Sequence, residues 1–471
     1  MKKAVQYIIL LAFVLTAGYS CTQKKGNTQM PKSGETPAIN LESPKTFKLD
    51  NGLTVLVVEN HRLPRVNMML IIDFAPKAEG DKAGTSSLLT RMLGTGTTSL
   101  NKESFNEKID FLGATLSFNE NGASASGLSK FFPEILELMS SAILHPKFNQ
   151  NEFEIAREMK IEEISNLEKD VSNITTRVFK ALTFGANTAY GESETEQTLR
   201  NINLKDIETT HKEIFVPNNA YLSIVGDITL EEVKPLIEKN FANWKRGEDN
   251  PVSVPQPDNL EEVEINIVDV PSAVQANIVI GNVHQIKANS PIFFASSLSN
   301  EILGGSSLNT RLNSNLREKN GYTYGASSQI DYDKYNPSFS AQASVSNKLV
   351  PQAIKEFMVE FNNISTITEE DLRITKARMK GNFTLSMENP STIAGMGLNI
   401  LTEGLPEDFY VNYLKSIDNL TVNDAQSAVK EYLKINNLRI VVVGKAAEFE
   451  KSLKELSYPI RYYDTKGNRV R

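Results

Sequence analysis

Two places in this 471-residue sequence combine side chains whose types and spacing bear on chemistry. The first is "GTSSLLTRMLGTGT", residues 84–97, where small residues lead into apolar pairs and a glycine turn ends the run. Read as a helix, it presents Ser87, Thr90 and Arg91 at positions i, i+3 and i+4, on one face. Two histidines at i and i+4 with a glutamate between them could grip a zinc ion there and deprotonate its water. The side chains present do neither. Ser87 is a feeble neutral ligand, and Thr90 cannot act as a general base near neutral pH. A guanidinium at Arg91, about 4 Å from a divalent cation, would be repelled by roughly 8 kcal/mol at an effective dielectric of 20. The second place is "LREKNGYTYGASS", residues 316–328. A helix ending near the Asn320-Gly321 turn, then a strand from about Tyr322, would bring Arg317 and Tyr324 together across the corner.

The elements that must hold these residues come in duplicate. "FVPNNAYLSIVGDI" (215–228) recurs as "LKINNLRIVVVGKA" (433–446), each an Asn-Asn turn leading into an apolar run that closes on Gly226 or Gly444. "LRNINLKDI" from Leu199 answers "LKSIDNLTVNDA" from Leu414, and "MLGTGT" at Met92 answers "ILGGSS" at Ile302. Similar order at similar spacing points to a duplicated domain of about two hundred residues. The expected division is 46–246 and 263–471, joined by a linker at 247–262 whose charges and Pro251, Pro255 and Pro257 mark a boundary. Short β-rich runs ("GLTVLVVEN", "VNMMLIIDF", "ANIVIGNV", "PSFSAQASVS") mix with longer helical patterns without strict alternation. Each half is therefore expected to be α+β, an antiparallel-dominated sheet packed with helices. One helix is expected over 296–318, punctuated by Gly304-Gly305, which reads either as a kink or as a flexible loop.

Composition narrows the function. A formal charge of −7 and the absence of a basic run argue against a nucleic-acid partner. Lys2 and Lys3, then "YIILLAFVLTAGYS", then Cys21 read as an export signal too short to span a membrane comfortably. Cys21 is the chain's single cysteine and stands where a bacterial lipoprotein signal places its acylated residue. The expectation is a lipid-anchored protein on the periplasmic face of a bacterial envelope, held through residues 1–21 and a polar tether at 22–45. Thr22 lacks the acidic character that often retains such proteins at the inner membrane, so the outer membrane is favoured. His61, His145, His211 and His284 are dispersed without ligand spacing and are expected to be structural or surface residues.

Over residues 46–456 the chain resembles the pitrilysin/insulinase family of zinc peptidases, which includes the mitochondrial processing peptidases. The first phrase fits that family's G-x-x-H-x-x-E-H-M-L-x-x-G-T at Gly84, Met92, Leu93, Gly96 and Thr97, with the metal-binding and catalytic positions falling on Ser87, Thr90 and Arg91. The family's third ligand, a glutamate in A-R-E-x-x-x-x-E-I, falls on Glu163 of "AREMKIEEI". Alone, that carboxylate reads as a surface partner of Lys160. "LGGSSLNTRLNSNLREKNGYTYGASSQIDY" fits the family's substrate-binding phrase, and the resemblance implies that Arg317 hydrogen-bonds a substrate carbonyl while Tyr324 helps hold the developing oxyanion. It also implies a flexible substrate-touching loop at Gly304-Gly305.

The resemblance thus implies that the chain carries half of a divided active site, with no cofactor of its own and zinc on a partner. The partner expected is an H-x-x-E-H-bearing paralogue in a heterodimer, acting on extended peptide. The alternative is a pseudoenzyme with a structural or peptide-holding duty.

Overall fold

The computed structural model describes residues 44–248 and 253–470, so Cys21, residues 22–43 of the expected tether and part of the expected linker lie outside the described residues, and Lys45, placed in the tether from sequence, opens a strand. The apolar runs of the duplicated phrases become central strands of two six-stranded sheets. The first contains β1 (Lys45–Lys48), β2 (Thr54–Glu59), β3 (Arg65–Ile72), β4 (Thr115–Asn119), β5 (Gly122–Leu128) and β6 (Ala220–Gly226), in the order β1-β2-β6-β3-β5-β4. The second contains β7 (Glu264–Asp269), β8 (Gln275–Val283), β9 (Thr323–Asp331), β10 (Ser338–Ser346), β11 (Arg439–Gly444) and β12 (Ile460–Tyr463), in the order β12-β7-β11-β8-β10-β9. The two orders match strand for strand except at one edge, where β1 joins antiparallel and β12 parallel. Antiparallel pairs dominate both sheets, as expected for α+β halves.

Local sequence explains the strands. Val66, Met68, Leu70 and Ile72 alternate into the core from β3, leaving Asn67, Met69 and Ile71 on the opposite face. β6 and β11 are buried along almost their whole length, which suits their near-continuous apolar runs. Gly226, with φ 145°, closes its strand where a Cβ would lie 2.0 Å from the Arg65 carbonyl oxygen. A Cβ on Gly444 would come within 2.7 Å of Ala276 Cβ. The repeat ends on glycine twice because the backbone approaches a neighbour closely twice.

Six helices position the candidate residues: α1 (Thr85–Met92), α2 (Gln150–Leu167), α3 (Val171–Phe184), α4 (Phe293–Leu303), α5 (Glu369–Ser386) and α6 (Pro390–Thr402). Leu88, Leu89 and Met92 of α1 share the first core with Phe153, Ala156 and Ile164 of α2. Leu298, Ile302 and Leu303 of α4 share the second with Leu372 and Met379 of α5. The helices after these pairs change sides. α3 packs on β8 and β11 of the second sheet, where Ile174, Val178 and Phe179 meet Val279, Val441 and Val443. α6 packs on β2 and β6 of the first sheet, where Ala394 meets Val58 and Val225. Each half thus covers the second face of the other half's sheet.

The helix expected over 296–318 is broken. It stops at Leu303 and resumes as a π-helical turn at Asn313–Lys319. The cause is tertiary: a Cβ on Gly304 would lie 2.6 Å from the backbone nitrogen of Ser328, which donates to the Gly304 carbonyl. Gly304 is therefore packed on β9 and leaves the helix there. Among the described residues, no helix is long and apolar enough to cross a membrane.

The crossed-over α3 should be a large contributor to stability, because the Phe179 ring rests where a Cβ on Gly281 would be only 2.6 Å from it. Phe179→Ala should cost about 3–5 kcal/mol, read as a lower urea midpoint with the secondary structure of the surviving folded fraction unchanged.

Candidate functional site

α1 starts at Gly84 in a left-handed conformation, and a carboxylate outside the helix caps it. Glu79 accepts from the backbone N–H of Gly84 (2.7 Å), Thr85 (2.9 Å) and Ser86 (2.8 Å) and from the Ser86 hydroxyl (2.6 Å). This satisfies donors that a helix start otherwise leaves unpaired and places negative charge at the positive end of the helix dipole. Glu192 in turn accepts from the N–H groups of Glu79 and Gly80. Neither acid is picked out by the family phrase or by capping-box spacing, since Glu79 reaches its helix across a five-residue loop.

The three motif positions do not converge on a ligand. The Ser87 hydroxyl donates to the Gly84 carbonyl (3.1 Å), and the Thr90 hydroxyl donates to the Ser86 carbonyl (3.0 Å). Arg91 turns to α2 and pairs its Nη2 with the Glu163 carboxylate. Lys160, the partner expected for Glu163 from sequence, is 3.8 Å from it and only 2.9 Å from Glu194. The expected surface pair is present but loose: Glu163 is held chiefly across the two helices by Arg91, and Lys160 is shared with Glu194. A monovalent organic cation takes the carboxylate that the family gives to its metal. These residues do not fit zinc, and among the described residues no group of three or more His, Cys, Asp or Glu could hold a metal ion. With side chains 35 % and 41 % exposed, the pair contributes only about 0–1 kcal/mol to stability. Its effect is on charge. Nearby, burial and the charges of Glu194 and Glu79 raise the Glu120 carboxyl above its ordinary value.

The second half repeats the arrangement with the signs exchanged. Aligning Met92 with Ile302 puts Glu301 of α4 at the place of Arg91, and Glu301 pairs with Arg378 of α5 at 3.1 Å. The histidines are scattered, as expected. His61 meets Asp227 at 2.7 Å, His145 caps a helix end, and His211 stacks on Phe215. His284 is buried, its Nδ1 accepting from the Ile286 N–H, and burial pushes its imidazole down to about 4.

Arg317 and Tyr324 do come together. Arg317 lies in the π-helical turn and Tyr324 on β9, the free edge of the second sheet. Asn320 ties the turn by donating to the Asn315 carbonyl (3.0 Å), and Gly321 supplies the positive φ (63°) that turns the chain into β9. Asn313 braces the strand by accepting from the Ala326 N–H at 3.0 Å. The guanidinium carbon of Arg317 is 5.4 Å from the centroid of the Tyr324 ring, a cation–π stack. Its Nε is 3.5 Å from the exposed carboxylate of Glu318, a loose contact on the same turn. Tyr324 is 92 % exposed. What the arrangement offers is a fork of N–H donors and a phenol at an open sheet edge. Gly304-Gly305, by contrast, is occupied within the fold: Gly304 against β9, and Gly305 against Glu301.

Comparison with known proteins places the chain in a family. Residues 54–197 match the model described as "Insulinase (Peptidase family M16)", and residues 201–379 match "Peptidase M16 inactive domain". A "non-peptidase homolog" of Helicobacter pylori is 22 % identical over 412 residues, covering 83 % of this chain and 91 % of that protein. The mitochondrial-processing peptidase subunit beta of Caenorhabditis elegans is 22 % identical over 448 residues, covering 91 % and 94 %. Among solved structures, a peptidase M16 inactive domain from Pseudomonas fluorescens superposes with a TM-score of 0.78 at 21 % identity, covering 85 % of this chain and 97 % of that one. The likeness to that structure is one of fold.

Two measurements probe the site. Replacing all three motif residues (Ser87→His, Thr90→Glu, Arg91→His) should free Glu163 from its guanidinium and give about one zinc per chain by metal analysis. Restoring Arg91 in that background should abolish the uptake. The buried His284 imidazole makes a separate prediction. Its folded-state value lies below the unfolded 6.5, so its stabilising effect is complete above about pH 6.5 and is lost as pH falls toward 4. His284→Gln should therefore flatten the acid limb of the stability curve by up to about 3 kcal/mol.

Proposed function

The chain belongs to the insulinase (M16) family of peptidases, and from that premise we propose that it is the zinc-free, substrate-binding subunit of a heterodimeric metallopeptidase of the bacterial envelope. A family paralogue bearing H-x-x-E-H supplies the metal and the general base. This chain supplies Arg317 and Tyr324, which meet the peptide at the partner's metal. The observation that carries the reading is Tyr324, a residue 92 % exposed at a sheet edge with its ring against an arginine. An active site completed from outside uses both donors at such an edge.

The chemistry comes from the side chains. Arg317 donates to a carbonyl of the bound peptide and fixes its register. The Tyr324 hydroxyl donates to the carbonyl whose oxygen becomes negative as water adds, and gains strength as that charge develops. The peptide lies extended and pairs its backbone with an open sheet edge; β4 and β9 are the free edges nearest the two motif regions. Cys21 carries the lipid that holds the subunit on the periplasmic face, at the outer membrane. One relative is named as a single subunit of a peptidase, which accords with a divided site.

A second reading is a pseudoenzyme that holds peptide or scaffolds an assembly without a part in cleavage. The closed Arg91–Glu163 pair is the observation on its side, since it tidies an abandoned metal corner without needing Arg317 or Tyr324. The two readings separate in the mixed enzyme. Tyr324→Phe should lower kcat of the reconstituted pair by about 10²–10³-fold with the fold unchanged. Unchanged turnover in both Tyr324→Phe and Arg317→Ala would leave the scaffolding role.

A further inference from the structure

The helices that change sides are counterparts, yet they are seated differently. α3 follows the 18-residue α2 after the capping residue Asp170, and α6 follows the 18-residue α5 after Asn389. By strand order β2, β6 and β3 correspond to β7, β11 and β8. α3 covers β11 and β8, but α6 covers β6 and β2, one strand further out. In the first sheet β3 is therefore left without a roof. A cavity of about 190 Å³ opens between α6 and strands β6, β3, β5 and β4, lined in part by Asn67, Met69, Thr115, Ser126, Ser223 and Ala394.

The sequence of β6 is adjusted to this cavity. Aligned on Gly226 and Gly444, Ser223 corresponds to Val441, which is buried in the cluster under α3. Ser223 is paired with Met69 across the sheet and is 1 % exposed, and its hydroxyl oxygen has no hydrogen-bond partner. A buried hydroxyl without a partner is unfavourable, and it lines an open space instead of a packed helix. Beside it, Asn67 adds an amide and Thr115, Ser124, Ser126 and Ser391 add hydroxyls, while Met69, Val225 and Ala394 supply carbon. Among the described residues, no charged side chain lines the cavity, and no aromatic ring offers a sugar a stacking surface. The chemistry that fits is an uncharged, mostly apolar group carrying one amide.

We propose that this cavity is a peptide pocket separate from the strand-pairing edge, taking one uncharged aliphatic residue with its backbone amide on Ser223 and Asn67. The peptide occupant rests on the function proposed above; the pocket itself belongs to this chain alone. The pocket extends to Thr115 of β4, but Ser223 on β6 lies three strand spacings, about 14 Å, from that free edge, beyond the reach of a side chain on a peptide paired there. The residue held on Ser223 therefore belongs to a part of the peptide that crosses the sheet face.

The test uses the full chain without any partner and N-acetyl-leucinamide as the probe, titrated by ligand-observed NMR with glucose as the comparison. Saturable millimolar binding of N-acetyl-leucinamide and none of glucose is expected. Ser223→Val, which installs the residue of the other half, should weaken binding about tenfold without lowering Tm, and Ala394→Phe should fill the space and abolish binding. The pocket is overturned if the wild-type chain shows no saturable binding, if glucose binds equally, or if both variants bind as the wild type does. Peptidase activity in the mixture with a partner, alongside failure of the probe to bind, would sink the pocket and leave the proposed function standing.

Discussion

The Arg91–Glu163 ion pair between α1 and α2 is the constraint on which the chemistry of the whole chain depends. A metal site needs a carboxylate with an uncommitted lone pair and a neighbourhood tolerant of a divalent cation. Here the carboxylate is already neutralised, and the neutralising group is permanently charged and fixed on the adjacent helix. The hydroxyls that share the face donate their protons to their own helix. The corner is stable, capped and electrically closed. In the other half an arginine and an exposed tyrosine stack at an open sheet edge.

Duplication accounts for much of the architecture, and the departures from it are informative. The same two-helix corner recurs with its ion pair reversed, Glu301 on α4 and Arg378 on α5, so bridging the helices by charge is a device of the fold, independent of metal. The strand orders match, and the helices after each corner exchange sheets. That exchange makes the halves mutually dependent: an apolar sheet face left bare by one is sealed by the other. Where the seal is displaced, over the first sheet, the strand beneath carries serine in place of valine.

Much of this was legible in the sequence. The strands, their antiparallel bias and the repeat followed from alternation, apolar runs and the two closing glycines. The juxtaposition of Arg317 with Tyr324 followed from an Asn-Gly turn between a helical and an extended run. Other features depend on contacts that no local pattern encodes. Glu163 has a plausible partner three residues away in Lys160, and only the approach of α1 makes Arg91 the stronger one. The break after Leu303 comes from β9 pressing against Gly304, not from helix propensity. Val171–Phe184 announces an amphipathic helix through Ile174, Val178 and Phe179, but nothing in that stripe says which sheet it serves.

The central claim is that this polypeptide is metal-free and catalytically incomplete on its own. The most direct measurement is the zinc content and peptide turnover of the purified full chain, assayed alone after incubation with excess zinc and removal of the free ion. The account predicts no stoichiometric metal and no turnover. One zinc per chain together with peptide cleavage by the chain alone would contradict it.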